Sequence, residues 1–138
     1  MTLRLTNEKD VTALLRGASA KPEITSLSFK RVKFDQNEAA ALFTLMKVNR
    51  PWTHVAFEDC VGQLDVPIAT FMFNDNVKKM SFLETFSLST SVALNAALHF
   101  TQCLETVRIE AKLTKENVQA LAEALVNNCN IKELDLSS

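Results

Sequence analysis

Asn117-Val118-Gln119-Ala120-Leu121-Ala122-Glu123-Ala124-Leu125, followed after five residues by Ile131-Lys132-Glu133-Leu134-Asp135-Leu136, is the stretch on which the reading of the whole chain turns. Its first part sets Val118, Leu121, Ala122 and Leu125 at the i, i+3, i+4, i+7 spacing of one helix face, with Thr114 standing before it as a cap. Its second part reads apolar-x-x-apolar-x-apolar, the alternation of a strand with one buried face.

The strand pattern recurs upstream. Ile24 to Phe29, Trp52 to Phe57, Val77 to Phe82 and Leu104 to Ile109 carry the same three apolar slots, and from Ile24 to Ile131 their first residues are spaced 28, 25, 27 and 27 apart. Leu3-Arg4-Leu5 is a further copy without its first slot, with Leu3 lying 24 residues before Leu27. The three columns hold 17 residues and all are apolar, although only 47% of the chain is hydrophobic. Chance agreement is roughly a few in a million before the choice of register is discounted. A period of this length signals stacked repeats, each too small to bury its own apolar face.

Helix signals fill the gaps between copies. Asp35-Gln36-Asn37-Glu38 reads as a capping box opening a helix through Ala39, Leu42, Leu45 and Met46. Thr6 or Asn7 starts the first helix and Gly17 suits its left-handed exit, while Asp65 before Val66-Pro67 suits a short third one. The fourth spans roughly 91–102, carried by Val92, Ala96, Ala97 and Leu98. Strand and helix therefore alternate, which predicts an α/β fold built on a parallel sheet.

The helix of Asn117–Leu125 and its following Ile131–Ser137 strand resemble the leucine-rich repeat family, in its ribonuclease-inhibitor-like subtype. The resemblance covers essentially all of the chain. It implies a right-handed βα superhelix, with the parallel sheet on the concave face and helices on the convex face. Repeats of this subtype place Asn or Cys three residues after the last strand leucine. Here that column reads Glu8, Val32, Cys60, Thr85 and Lys112, so Cys60 matches and Thr85 is a partial substitute. Phe29, Phe57 and Phe82 share one column, so an aromatic spine is expected in the middle of the solenoid.

Size and composition agree with one domain, 1–138, of about five βα units plus a terminal strand. The last copy has a strand, no helix and no polar cap. That predicts either a fragment of a longer array or self-association through the last strand. A net charge of -1 supplies no overall field for nucleic acid or an anionic membrane. No apolar run approaches the ~18 residues of a membrane span. Cys60, Cys103 and Cys129 form no CxxC pair, so free thiols and a soluble cytoplasmic protein are expected.

In a strand the residues between the apolar slots point to the opposite face. One row runs Arg4, Ser28, Ala56, Ser81, Arg108, Asp135, and the next runs Thr6, Lys30, Glu58, Leu83, Glu110, Ser137. Flanking rows hold Ser26, His54, Lys79, Thr106, Glu133 and Asn7, Arg31, Asp59, Glu84, Ala111. Lys30 falls opposite Glu58, Arg31 opposite Asp59 and Arg108 opposite Asp135, and such exposed pairs are worth only ~0–1 kcal/mol. Basic residues dominate the N-terminal rows and acidic ones the C-terminal rows. The face therefore reads as a mixed-charge surface for a protein partner, using Lys30, Arg31, His54, Glu58, Lys79, Leu83, Arg108, Glu110 and Asp135.

Catalytic and cofactor signals are weak. Six residues of strand spread over roughly 20 Å, so His54 does not reach Cys60. His99 has no histidine at i+4, and neither GxxxxGK[ST] nor GxGxxG occurs, so neither a metal nor a nucleotide cofactor is expected. The reading is a non-catalytic protein-interaction module. The resemblance also admits a repeat segment of a larger regulator, such as a Ran-type GTPase-activating protein or a nucleotide-binding immune receptor. A GTPase activator would use loops such as Asp35-Gln36 or Asn74-Asp75-Asn76. A third alternative is a self-associating structural unit.

Overall fold

A computed structural model describes residues 2–6, 17, 21, 23–36, 52–62, 64, 68, 76–85, 94–96, 98, 101, 103–126 and 130–137. The helix starts expected at Asn7 and Asn37-Glu38, the turn at Asp65, and the expectations for Glu8, Asn74, Asp75, Val92, Ala97, His99 and Cys129 lie outside those residues.

Six five-residue strands form the main sheet: β1 (Thr2–Thr6), β2 (Ser26–Lys30), β4 (His54–Glu58), β6 (Lys79–Leu83), β7 (Thr106–Glu110) and β8 (Glu133–Ser137). Two short strands, β3 (Lys33–Phe34) and β5 (Val61–Gly62), pair parallel beside it. Strand order in the main sheet is β1-β2-β4-β6-β7-β8, and every neighbouring pair is parallel. Order in space thus follows order in sequence, and each strand is a nearest neighbour of the one before it. The fold is α/β.

The apolar slots set the register. Leu3, Leu27, Val55, Met80, Val107 and Leu134 pair across the sheet, as do Leu5, Phe29, Phe57, Phe82, Ile109 and Leu136. A slip by one residue would turn both columns into solvent, so burial and register enforce one another. The leading slots Ile24, Trp52, Val77 and Leu104 are buried and Ile131 half-buried, just ahead of their strands. Phe57 stacks on Phe29 at 5.3 Å and on Phe82 at 5.7 Å between ring centroids, with interplanar angles of 12° and 13°. Phe34 of β3 closes the stack edge-on, 5.5 Å from Phe29 and 6.0 Å from Phe57. Leu64, Ile68, Leu94, Leu98, Leu121 and Ala124 complete the same core.

Helix α1 (Lys115–Val126) begins at a reciprocal cap. The Asn117 amide donates to Thr114 Oγ1 at 3.1 Å, and the Thr114 amide donates to Asn117 Oδ1 at 3.1 Å. Thr114 is thus the cap that its position before the apolar face predicts, with Asn in the place of the usual Glu. The buried face differs from expectation. Leu121 and Ala124 are buried, whereas Val118 and Ala122 are exposed and Leu125 is half-buried. The helix is rotated so that its small residue Ala124 meets the core and Val118 flanks it. Two smaller expectations also change. Gly17 carries helical backbone, not a left-handed exit, and Ala96 is exposed while Leu94 and Leu98 take the core positions.

The strands end in a shared corner. Arg31, Asp59 and Glu84, each two residues past the last core phenylalanine of its strand, have φ of 56°, 51° and 50°. Their amides donate to Glu58 O, Leu83 O and Glu110 O at 2.8–2.9 Å, so the ladder runs one rung beyond each strand. Left-handed backbone costs a side-chain-bearing residue roughly 1–2 kcal/mol, and here those bonds hold it in place. Gly62, at φ 97°, lies so close to Phe34 that a Cβ would strike its carbonyl oxygen.

Phe57→Ala is expected to cost about 3–5 kcal/mol in urea unfolding, because it empties the centre of the stack; near-neutral stability would reject the register. Glu84→Gly should keep or raise stability, by up to about 1 kcal/mol, and Glu84→Val should lower it by about 1–2 kcal/mol. Equal losses in the two variants would contradict the left-handed corner.

Candidate functional site

Alternation along the strands turns one face of the sheet polar, and the register brings its rows into line. Ser28, Ala56, Ser81 and Arg108 lie side by side, between Arg4 on β1 and Asp135 on β8. Their neighbours on one side are Lys30, Glu58, Leu83 and Glu110, and on the other Ser26, His54, Lys79 and Thr106. Small side chains at Ser28, Ala56 and Ser81 form a low floor, and Ser81 is only 3% exposed beneath longer neighbours.

Arg108 anchors the C-terminal half. Its terminal nitrogen donates to Glu110 Oε2 at 3.0 Å, and its Nε lies 3.8 Å from Asp135 Oδ2. The second contact is an ion pair and too long for a hydrogen bond, so buried Nε keeps no hydrogen-bonding acceptor. Lys30 and Glu58 approach to 3.9 Å, both half-exposed. Lys30–Glu58 and Arg108–Asp135 are expected pairs, Arg108–Glu110 within one strand is an addition to them, and at this exposure their Coulomb attraction is screened. Arg31 and Asp59 are the exception. Each sits at the left-handed corner past its strand, exposed, and no ion pair joins them among the described residues. The corner takes both side chains off the face on which alternation alone would put them.

His54 is half-buried and its Nε2 shares a 3.1 Å hydrogen bond with Ser81 Oγ. This is a diagonal contact. Ala56, two residues on from His54, is the residue that pairs with Ser81, and its lone methyl leaves room for the imidazole to lean across. Burial pushes the imidazole pKa below its ordinary value of 6.5, and the nearby Lys79 charge pushes it further down. Near neutrality His54 is therefore uncharged. No described carboxylate is hydrogen-bonded to the imidazole, so the His54–Ser81 pair lacks the orienting acid that activates a serine nucleophile. Ser81 is the residue that sequence reasoning placed in a row but did not single out. Its signal was a small polar side chain in the central strand, one slot from an alanine.

Cys60 is buried just past β4. Its Sγ–H lies within hydrogen-bonding distance of Phe29 O at 3.3 Å and Glu58 O at 3.5 Å, and its amide donates to Thr85 Oγ1 at 3.0 Å. Thr85 in turn donates to Leu83 O at 3.0 Å. Burial raises the Cys60 thiol to about 11, and the Asp59 charge adds to the rise, so the thiolate is scarce at neutral pH. Among the described residues no group of three or more His, Cys, Asp or Glu is placed to hold a metal ion. Nor is any described helix long and apolar enough to cross a membrane.

Between its lowered pKa and 6.5, folded His54 holds fewer protons than it does in the unfolded chain, so stability rises with pH through that window. The contribution is complete above about pH 6.5 and lost as pH falls through the lowered value. Wild type should therefore lose more stability than His54→Gln between pH 7 and pH 5 in urea titrations. Parallel curves for the two proteins would contradict the neutral, half-buried imidazole. No protein-family model matches the chain, and no curated protein or solved structure shows significant similarity to it.

Proposed function

We propose that this chain is a leucine-rich repeat solenoid of the ribonuclease-inhibitor-like subtype whose concave sheet face binds a protein partner without catalysing a reaction. One observation carries the reading. The polar rows lie in register across the parallel sheet, so charged, small and apolar side chains are displayed at fixed spacing on a rigid surface. Strands sit ~4.8 Å apart, near the ~5.4 Å rise of one turn of a helical partner. Half-buried Leu83 supplies an apolar contact near the centre, and Arg108, held by two carboxylates, supplies a pre-oriented planar donor.

The charge distribution describes the partner. Arg4, Lys30 and Arg31 stand toward the β1–β2 end, and Glu110, Glu133 and Asp135 toward the β7–β8 end. A partner segment that is acidic at one end, basic at the other and apolar between them is complementary to this order.

The discriminating experiment is affinity capture from native lysate with three proteins: wild type, Lys30→Glu/Lys79→Glu with both changes on the polar rows, and Lys112→Glu as a control outside the strands. A partner retained by wild type and control but lost, by at least about tenfold, with the double reversal is the expected result. Identical capture by all three would reject the concave face as the binding surface.

A further inference from the structure

The two edges of the main sheet are complementary to one another. Among the described residues β8 pairs only with β7 and β1 pairs only with β2. Strand β8 and helix α1 carry three of the four large hydrophobic residues that are exposed among the described residues: Val118 at 43%, Val126 at 84% and Leu136 at 37%. Val118, Ala122 and Val126 are four residues apart and form one stripe on the flank of α1, adjoining half-buried Leu125. Leu134 is half-buried, and so is Leu3 at the other edge.

We infer that this face takes the β1 edge of a second copy of this chain, adding β1 to β8 as a parallel strand in the register of the internal pairs. Leu134 and Leu136 then align with Leu3 and Leu5 of the second copy, extending both apolar columns. On the polar face Asp135 falls opposite Arg4, the two carrying opposite charge. The like-with-like pairings are opposed by charge. Glu133 and Asp135 are the charged residues of β8, so two antiparallel β8 strands set carboxylates against carboxylates. Two β1 strands likewise bring Arg4 toward Arg4. A head-to-tail contact of unlike surfaces leaves one free edge at each end until a ring closes, so the assembly grows past the dimer by addition. Arg4 and Asp135 also belong to the polar face, but the strand pairing uses the sheet edges and the α1 flank, so Val126→Lys, off that face, separates failure of this inference from failure of the proposed partner binding.

Light scattering over a concentration series of the 138-residue chain tests it. The expected result is a mass that rises with concentration past the dimer. Arg4→Glu, whose neighbour on β2 is the uncharged Ser28, should weaken association about tenfold, and Asp135→Arg similarly. An equimolar mixture of the two variants should recover association, because each interface in an alternating assembly then joins opposite charges. Val126→Lys, on an exposed site, should weaken association while leaving the thermal melt unchanged. A monomer at every concentration overturns the inference. So does a species that stops at the dimer and is indifferent to Arg4→Glu, which would mark β8–β8 pairing, and so does a mixture that associates no better than its components.

Discussion

In-register parallel pairing of short strands, enforced by apolar columns, is the constraint on which everything else in this protein depends. A strand of five residues has too little side-chain area to hold itself in place, and a two-residue alternation leaves it with one buried face. Stacking Phe29, Phe57 and Phe82 removes that face from water and fixes which residue opposes which. Ring separations of 5.3 and 5.7 Å lie just above the interstrand spacing, so the rings tilt slightly and stack as the backbone dictates. Once the phenylalanines are aligned, the residues between them have no freedom of register. Lys30 must meet Glu58, and Arg108 must meet Asp135.

Much of this is legible in the residues because it depends on a period. The alternation at Leu27/Phe29, Val55/Phe57 and Met80/Phe82 states both which face is buried and which strands are equivalent, and the Thr114 cap is a local pattern that needs no tertiary information. Features that arise from backbone conformation are not legible in the same way. Arg31, Asp59 and Glu84 share a left-handed corner, yet none is a glycine or an asparagine, so composition conceals it. The conformation is imposed by amide bonds to the next strand, a non-local cause that overrides the local preference. Lys33-Phe34 and Val61-Gly62 form their small sheet for the same reason, since the corner delivers them side by side.

The polar face shows a similar division. Its rows and most of its pairs follow from register, but the diagonal bond from His54 to Ser81 depends on Ala56 being small, a three-residue coincidence that pairwise reading does not detect. Helix α1 offers the opposite lesson. Val118, Leu121, Ala122 and Leu125 satisfy helical spacing equally well as a buried stripe, and only packing chooses Leu121 and Ala124 instead. A helix with apolar residues on two adjoining flanks has an ambiguous moment, and packing against the core resolves it in favour of Leu121 and Ala124. The flank left over is the exposed stripe of Val118, Ala122 and Val126.

The most direct test of the central constraint is a nuclear Overhauser experiment on protein labelled at its phenylalanines. Cross-peaks are expected from the Phe57 ring to both Phe29 and Phe82, with none between Phe29 and Phe82. Cross-peaks joining Phe29 directly to Phe82, or a Phe57 ring in contact with neither, would contradict it.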